Sequence, residues 1–176
     1  MHLRSLELKD APLMLEWMHD ERVNRFYRFS ASKYTLEQVE DFISISMKQS
    51  ELEKPSNIHY AITENGGEYL GTISLKNIDY VNKNAEYAIV LRFVAQRKGL
   101  AFRATQELLK IAFEQLGLHR IYLNALADNS RAINVYRKIG FIFEGEWKDH
   151  LLLKGEWRSL SWYAMTREIW KTQQGR

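Results

Sequence analysis

The spacing of apolar residues changes period along the chain, and the changes mark out its elements. Residues 2–8 alternate, with Leu3 and Ser5 set against Arg4, Leu6 and Leu8, as in a strand. Asp10 is then placed to cap a helix whose first turn tolerates Pro12 and whose apolar face is Leu13, Met14, Trp17 and Met18. Thr35 with Gln38 reads as a capping box opening a second helix that turns Val39, Phe42, Ile43 and Met47 inward. The period then drops to two. Residues 58–63 and 69–75 read as strands joined through Asn65, Gly66 and Gly67, a strong hairpin signal, and residues 84–93 as another strand. Residues 99–116 return to helical spacing and stop at Gly117. Residues 120–127 are a strand. Residues 130–139 are a short helix capped near Asp128, Asn129 or Ser130 and stopped by Gly140, and strands follow over 141–144, 147–153 and 157–165. This order predicts an α/β fold, a mixed sheet with helices on both faces.

Composition narrows the class. The chain has 176 residues, 45% hydrophobic and 27% charged, the balance of one folded domain. It contains no apolar run long enough to span a membrane. Without cysteine there is no disulfide framework, thiolate metal site or cysteine nucleophile. The five histidines show no metal spacing, so no metal site is expected. The first ten residues mix charges with apolar positions and lack a signal peptide's apolar stretch, so the cytoplasm is the expected compartment. The net charge of +3 is far from a nucleic-acid-binding density.

The distribution of charge says more than its sum. No acid occurs from Tyr87 to Gln106, where Arg92, Arg97, Lys98 and Arg103 fall. Inside that stretch a strand meets a helix through Gln96-Arg97-Lys98-Gly99-Leu100-Ala101. Gly99 lets backbone approach a ligand, and the unpaired N–H groups that open a helix bind phosphate well. On the loop alone, a plain strand-to-helix turn with solvated cations competes equally with an anion cradle.

A family resemblance adds to this reading. Gln96-x-x-Gly99-x-Ala101 resembles the pyrophosphate loop of the GNAT superfamily of acetyl-CoA-dependent N-acetyltransferases. Residues 113–121, Asn129 to Ile133, Tyr136 to Phe141 and Glu144-Gly145 resemble its ribosomal-protein-alanine and spermidine acetyltransferase branch. The resemblance is strong from about residue 85 to 165 and weaker over 1–80, the region that selects the acceptor in this superfamily. It implies a single acetyltransferase domain over 1–170 with a tail over 171–176, built on a mostly antiparallel mixed sheet. It also implies acetyl-CoA as co-substrate.

Acetyl transfer to a primary amine needs a base, an oxyanion donor and an acid for the departing thiolate. The resemblance puts Glu86 in the role of a carboxylate that relays the amine proton through water. Tyr136 becomes the acid, and the backbone of Ile89, Val90 and Leu91 the donor to thioester and pantetheine. Gln96, Arg97, Lys98, Gly99, Leu100 and Ala101 hold the pyrophosphate, and Asn129 bonds the pantetheine arm. Bland roles stand beside these: a solvent-facing carboxylate for Glu86, a packed core ring for Tyr136, a helix cap for Asn129.

Two other functions compete. One is an acyl-CoA sensor without turnover, against which the presence of both Glu86 and Tyr136 argues. The other is nucleic-acid binding through residues 22–33, where cations interleave with Phe26, Tyr27 and Phe29. Within the enzyme reading, Arg22, Arg25, Arg28 and Lys33 favour a small-molecule or peptide acceptor that carries negative charge, such as a nucleotide-linked amino sugar or an acidic peptide, over a polyamine. A protein N-terminus and a homodimer stay open.

Overall fold

The computed structural model describes residues 1–27, 31–64 and 67–175. Its alternating segments form strands β1 (His2–Ser5), β2 (Ile58–Thr63), β3 (Tyr69–Asp79), β4 (Asn84–Leu91), β5 (Arg120–Leu126), β6 (Ile142–Leu153) and β7 (Glu156–Thr166). The helical segments are α1 (Ala11–His19), α2 (Glu21–Asn24), α3 (Leu36–Ser50), α4 (Leu100–Lys110), α5 (Ser130–Ile139) and α6 (Arg167–Gln174). The strands make one sheet in the order β1-β2-β3-β4-β5-β7-β6, antiparallel throughout except for the parallel pair β4 and β5.

Each face of the sheet carries its own core. Ala61 of β2 and Tyr69 of β3 bury against α1 and α3 through Met14, Trp17, Val39 and Ile43. Ile62, Ile73, Tyr87, Ile121 and Leu123 bury on the opposite face against α4 and α5 through Leu100, Leu108, Ile133 and Tyr136. Val39 and Ile43 are wholly buried, each worth about 1.5–3 kcal/mol of transfer free energy. The expected α/β fold with helices on both faces is the one observed.

Local signals held where they were strongest. Thr35 Oγ1 accepts the Gln38 N–H at 3.3 Å while Gln38 Oε1 accepts the Thr35 N–H at 3.0 Å. Gly117 and Gly140 take left-handed φ of 66° and 105° at the ends expected of them. Asn65 and Gly66 of the expected hairpin lie outside the described residues, but β2 and β3 do pair antiparallel and Gly67 has φ 77°.

Several expectations are corrected. Asp10 holds the N-cap position of α1 but makes no side-chain cap bond. It ends a 3-10 turn (Leu8–Asp10), where its buried carboxylate accepts the Glu7 N–H at 2.9 Å and both Arg4 terminal nitrogens at 2.7 Å. A charged partner on β1 outcompetes the cap, and that turn also ends β1 three residues early. Met47 is exposed rather than inward. The helix after Gly99 is α-helical only to Lys110 and passes through a π-helical turn (Ile111–Gln115). Strands expected over 141–144 and 147–153 are one strand, β6, kept continuous by bulges at Phe143/Gly145 and Trp147/Leu151. Residue 170 lies within α6, which Thr166 caps and whose Trp170 packs on Phe113.

On the α1–α3 face, His59 of β2 sits opposite Ser74 of β3 and shares a 2.7 Å hydrogen bond between Nδ1 and its hydroxyl. Phe42 of α3 meets the imidazole edge-on at 4.9 Å. Burial, with Lys76 nearby, pushes the His59 pKa down to about 4.

Candidate active site

The parallel strands β4 and β5 share only three rungs, Asn84↔Arg120, Ala85↔Ile121 and Glu86↔Tyr122. Beyond them β5 stays paired with β7 as far as Leu126↔Leu160, and β4 stays paired with β3 as far as Leu91↔Gly71. The two strands therefore part, and a gap opens inside the sheet. Gly71 allows the close pairing on the β3 side, since a Cβ there would lie 2.2 Å from the Val90 carbonyl oxygen.

The register decides which backbone groups face the gap. Arg92 N–H donates to Leu70 O at 2.9 Å, and hydrogen-bonded pairs of an antiparallel ladder recur at every second residue. Val90 therefore turns its N–H and C=O to β3. Ile89 and Leu91 turn theirs away from β3, toward the gap. Of the three backbone donors expected on this strand, two are aimed into the gap and Val90 is not.

At the open end lies the basic loop. Phe93–Ala95 make a 3-10 turn, after which Arg97 and Gly99 both adopt left-handed conformations, with φ of 62° and 72°. A Cβ on Gly99 would meet nothing within 4 Å, so glycine here serves the backbone angle rather than space. The first helical N–H to bond back is that of Arg103, to Gly99 O, so the amides of Leu100, Ala101 and Phe102 open the helix without intrahelical acceptors. The Leu100 side chain is buried in the core, leaving only its amide for a ligand. Gln96 Nε2 donates to Leu91 O at 3.0 Å, and its Oε1 is buried without a partner among the described residues.

The loop's charge is smaller than the sequence implies. Arg92 is buried and clamped by Glu16 of α1 at 2.9 Å and Glu68 at 2.5 Å. Arg103 pairs with Glu64 at 2.7 Å. Arg97 and Lys98 stay exposed.

Glu86 occupies the last shared rung. A bulge in β3 puts Asn77 in a left-handed conformation, and its amide donates to Glu86 Oε2 at 3.1 Å while Lys76 Nζ reaches Oε1 at 3.2 Å. On the other face, Tyr136 of α5 stands among Tyr87, Phe141 and Tyr163 at ring distances of 5.9, 6.2 and 6.4 Å. Burial pushes its pKa up to about 12. Among the described residues its hydroxyl makes no hydrogen bond. Tyr87 differs: its hydroxyl lies 2.7 Å from Thr105 Oγ1, which itself donates to Ala101 O. Asn129 Oδ1 accepts the Ala132 N–H at 3.2 Å, which gives it the capping role and leaves its amide nitrogen for another partner. Glu144 of the resembling pattern bonds Arg120 and so ties β6 to β5.

A split parallel pair with a left-handed glycine loop at its mouth is a shape that invites comparison, and the sequence matches it. The model of the acetyltransferase (GNAT) domain matches residues 1–142. The chain belongs to the GNAT acetyltransferase family. Among GNAT relatives, the spermidine N(1)-acetyltransferase of Escherichia coli K12 is 31% identical over 158 residues, covering 89% of this chain and 81% of the relative. The ribosomal protein uS5-alanine N-acetyltransferase of the same strain is 35% identical over 75 residues, covering 43% and 39%. The crystal structure of the spermidine N-acetyltransferase of Vibrio cholerae in complex with CoA and spermine superposes with a TM-score of 0.86 over 97% of both chains at 19% identity. As a GNAT enzyme the protein is an N-acetyltransferase that uses acetyl-CoA. No helix among the described residues is long and apolar enough to cross a membrane, and none of their His, Asp and Glu groups is placed to hold a metal.

The sequence missed what depends on tertiary register. Neither the gap nor the Glu16 and Glu68 clamp on Arg92 has a local signal. Arg22, expected beside an acceptor, bonds Asp20 and lies over the Phe93 ring. Arg25 lies over Phe26, and Tyr27 packs on Trp17, so those rings are not a free stacking platform. Arg28 and Phe29 fall outside the described residues.

Proposed function

We propose that the protein is a cytoplasmic enzyme that passes the acetyl group of acetyl-CoA directly to a primary amine across the gap between β4 and β5. The observation that carries this reading is the gap itself, with the Ile89 and Leu91 amides on its edge and the left-handed Gly99 turn at its mouth. Those residues fit a diphosphate thioester: the amides opening α4 suit phosphate oxygens, Arg97 and Lys98 supply charge, and the orphaned Gln96 Oε1 suits an N–H of an amide-bearing arm. Asn129 lends its amide nitrogen to the same arm.

The chain's own groups then divide the chemistry. Glu86 receives the proton that the amine must lose before its nitrogen attacks the thioester carbon. The N–H groups of Ile89 and Leu91 stabilise the oxyanion that this attack creates. When the C–S bond breaks, Tyr136 gives its phenolic proton to the departing thiolate. Its hydroxyl, without a hydrogen-bond partner among the described residues, favours turnover over a binding-only sensor.

The acceptor is an amine. The expectation that it is anionic draws less support from the structure, because Asp20 already neutralises Arg22. Trp157 and Leu152, exposed and paired across the β6–β7 hairpin, support a homodimer, which sedimentation checks. The deciding experiment measures thiol release from acetyl-CoA against spermidine, amino sugars and peptides beginning with alanine. Turnover with at least one is expected; release with none of them above the rate in buffer overturns the transferase reading.

A further inference from the structure

On the face of the sheet that carries Glu86, β5 continues past the last shared rung to Asn124. Ile121, Leu123 and Ala125 turn into the α4–α5 core, so Tyr122 and Asn124 lie on the α1–α3 side. Tyr122 is level with Glu86, and Asn124 is two residues further along, where β4 has already moved away. A central strand position of this kind ordinarily carries an apolar side chain.

The carboxamide there has no visible partner. Asn124 Oδ1 is sealed from solvent without a hydrogen bond among the described residues, and so is Nε1 of Trp162, the residue directly opposite on β7. Buried carbonyl oxygens are nearly always satisfied, and an unsatisfied one beside a ligand gap needs an account. The surroundings narrow what could satisfy it. The Trp162 ring lies 4.4 Å from Trp147 and 6.4 Å from Tyr122, so aromatic rings wall the position. Aromatic faces attract ammonium groups and a lone amide oxygen accepts from N–H, while no cationic side chain is paired with this carboxamide.

We infer that Asn124 is a specificity-determining residue for the acceptor: its Oδ1 accepts a hydrogen bond from the acceptor's amino group, which arrives as an alkylammonium against the Tyr122 and Trp162 rings. This rests on the transferase reading above. Bound there, the nitrogen lies two residues along β5 from the Glu86 rung, on the face that carries the carboxylate its proton has to reach.

The test replaces Asn124 with Leu, which keeps the shape and removes the acceptor, and with Asp, which keeps an oxygen. The probe is the amine that turns over best in the panel above. Asn124→Leu is expected to raise the KM for that amine about ten- to a hundredfold, the loss typical of a hydrogen bond to a charged group, with the KM for acetyl-CoA and the melting temperature unchanged. Asn124→Asp is expected to restore a low amine KM and to make it more sensitive to salt. An unchanged amine KM in Asn124→Leu, or an effect that falls on acetyl-CoA or on melting instead, overturns this assignment while leaving the transferase standing. A wild-type enzyme that turns over no amine removes both.

Discussion

The guanidinium of Arg22 lies 3.9 Å from the centroid of the Phe93 ring. That contact joins α2 to the 3-10 turn that leads into the Gln96–Ala101 loop. Asp20 grips the same guanidinium, so Arg22 is fixed between the two. A cation over an aromatic face is attracted by the ring's quadrupole. A cycle of Arg22→Ala, Phe93→Ala and the double variant should show a favourable coupling in denaturant unfolding. Additive losses would mean that the two residues do not support each other.

Gly99 separates backbone from charge. Gly99→Ala places a Cβ in open space at φ 72° and should cost about 1–2 kcal/mol of stability while the melting temperature still rises with CoA. Gly99→Glu adds the same strain and a negative charge beside the amides of α4, and should abolish that rise. Equal rises in both variants would place the diphosphate elsewhere.

Tyr136→Phe removes one proton donor and keeps the ring in its aromatic cluster. The turnover number should fall on the order of 10²–10⁴-fold, with melting and CoA affinity near wild type. Because burial holds the phenol proton to about pH 12, wild-type kcat should show no loss from this group up to about pH 10. Full activity in Tyr136→Phe would leave it a packing residue.

His59 makes stability fall in mild acid. Its folded pKa of about 4 lies below the ordinary value of 6.5, so the unfolded chain binds the extra proton first as pH falls. The contribution is present above pH 6.5 and lost progressively down to about pH 4, on the order of 3 kcal/mol. Chemical denaturation of wild type and His59→Asn across that window checks it. Parallel stability curves would show that the imidazole is not the titrating group.

What could be read in the sequence was what neighbours in the chain decide. Thr35 with Gln38, Asn129 before α5 and Gly140 after it act within one helical turn, and the structure shows each where its type requires. The turn into α4 was legible for the same reason, since Gln96 to Ala101 are contiguous. The clamp on Arg92 had no local signal, because its partner Glu16 lies 76 positions away. Asp10 stands at the expected N-cap, but Arg4, on a separate element, claims the carboxylate that would have capped the helix. The parting of β4 from β5 leaves no trace in either strand's own pattern, because Ile121, Leu123 and Ala125 alternate as they would in an unbroken sheet. Asn124 carried a weak signal of its own, a carboxamide inside an otherwise apolar strand.

Three rungs are all that join strands β1–β4 to strands β5–β7 within the sheet. Mechanically, the domain is two leaves bound along a short spine, with the α4–α5 core as the cover that keeps them together. A ligand bound as proposed, along the Ile89 and Leu91 edge, would touch one leaf and, at Asn129 and Tyr136, the cover. Filling the gap should therefore stiffen the whole book, and amide hydrogen exchange along β4 is expected to slow in the loaded enzyme.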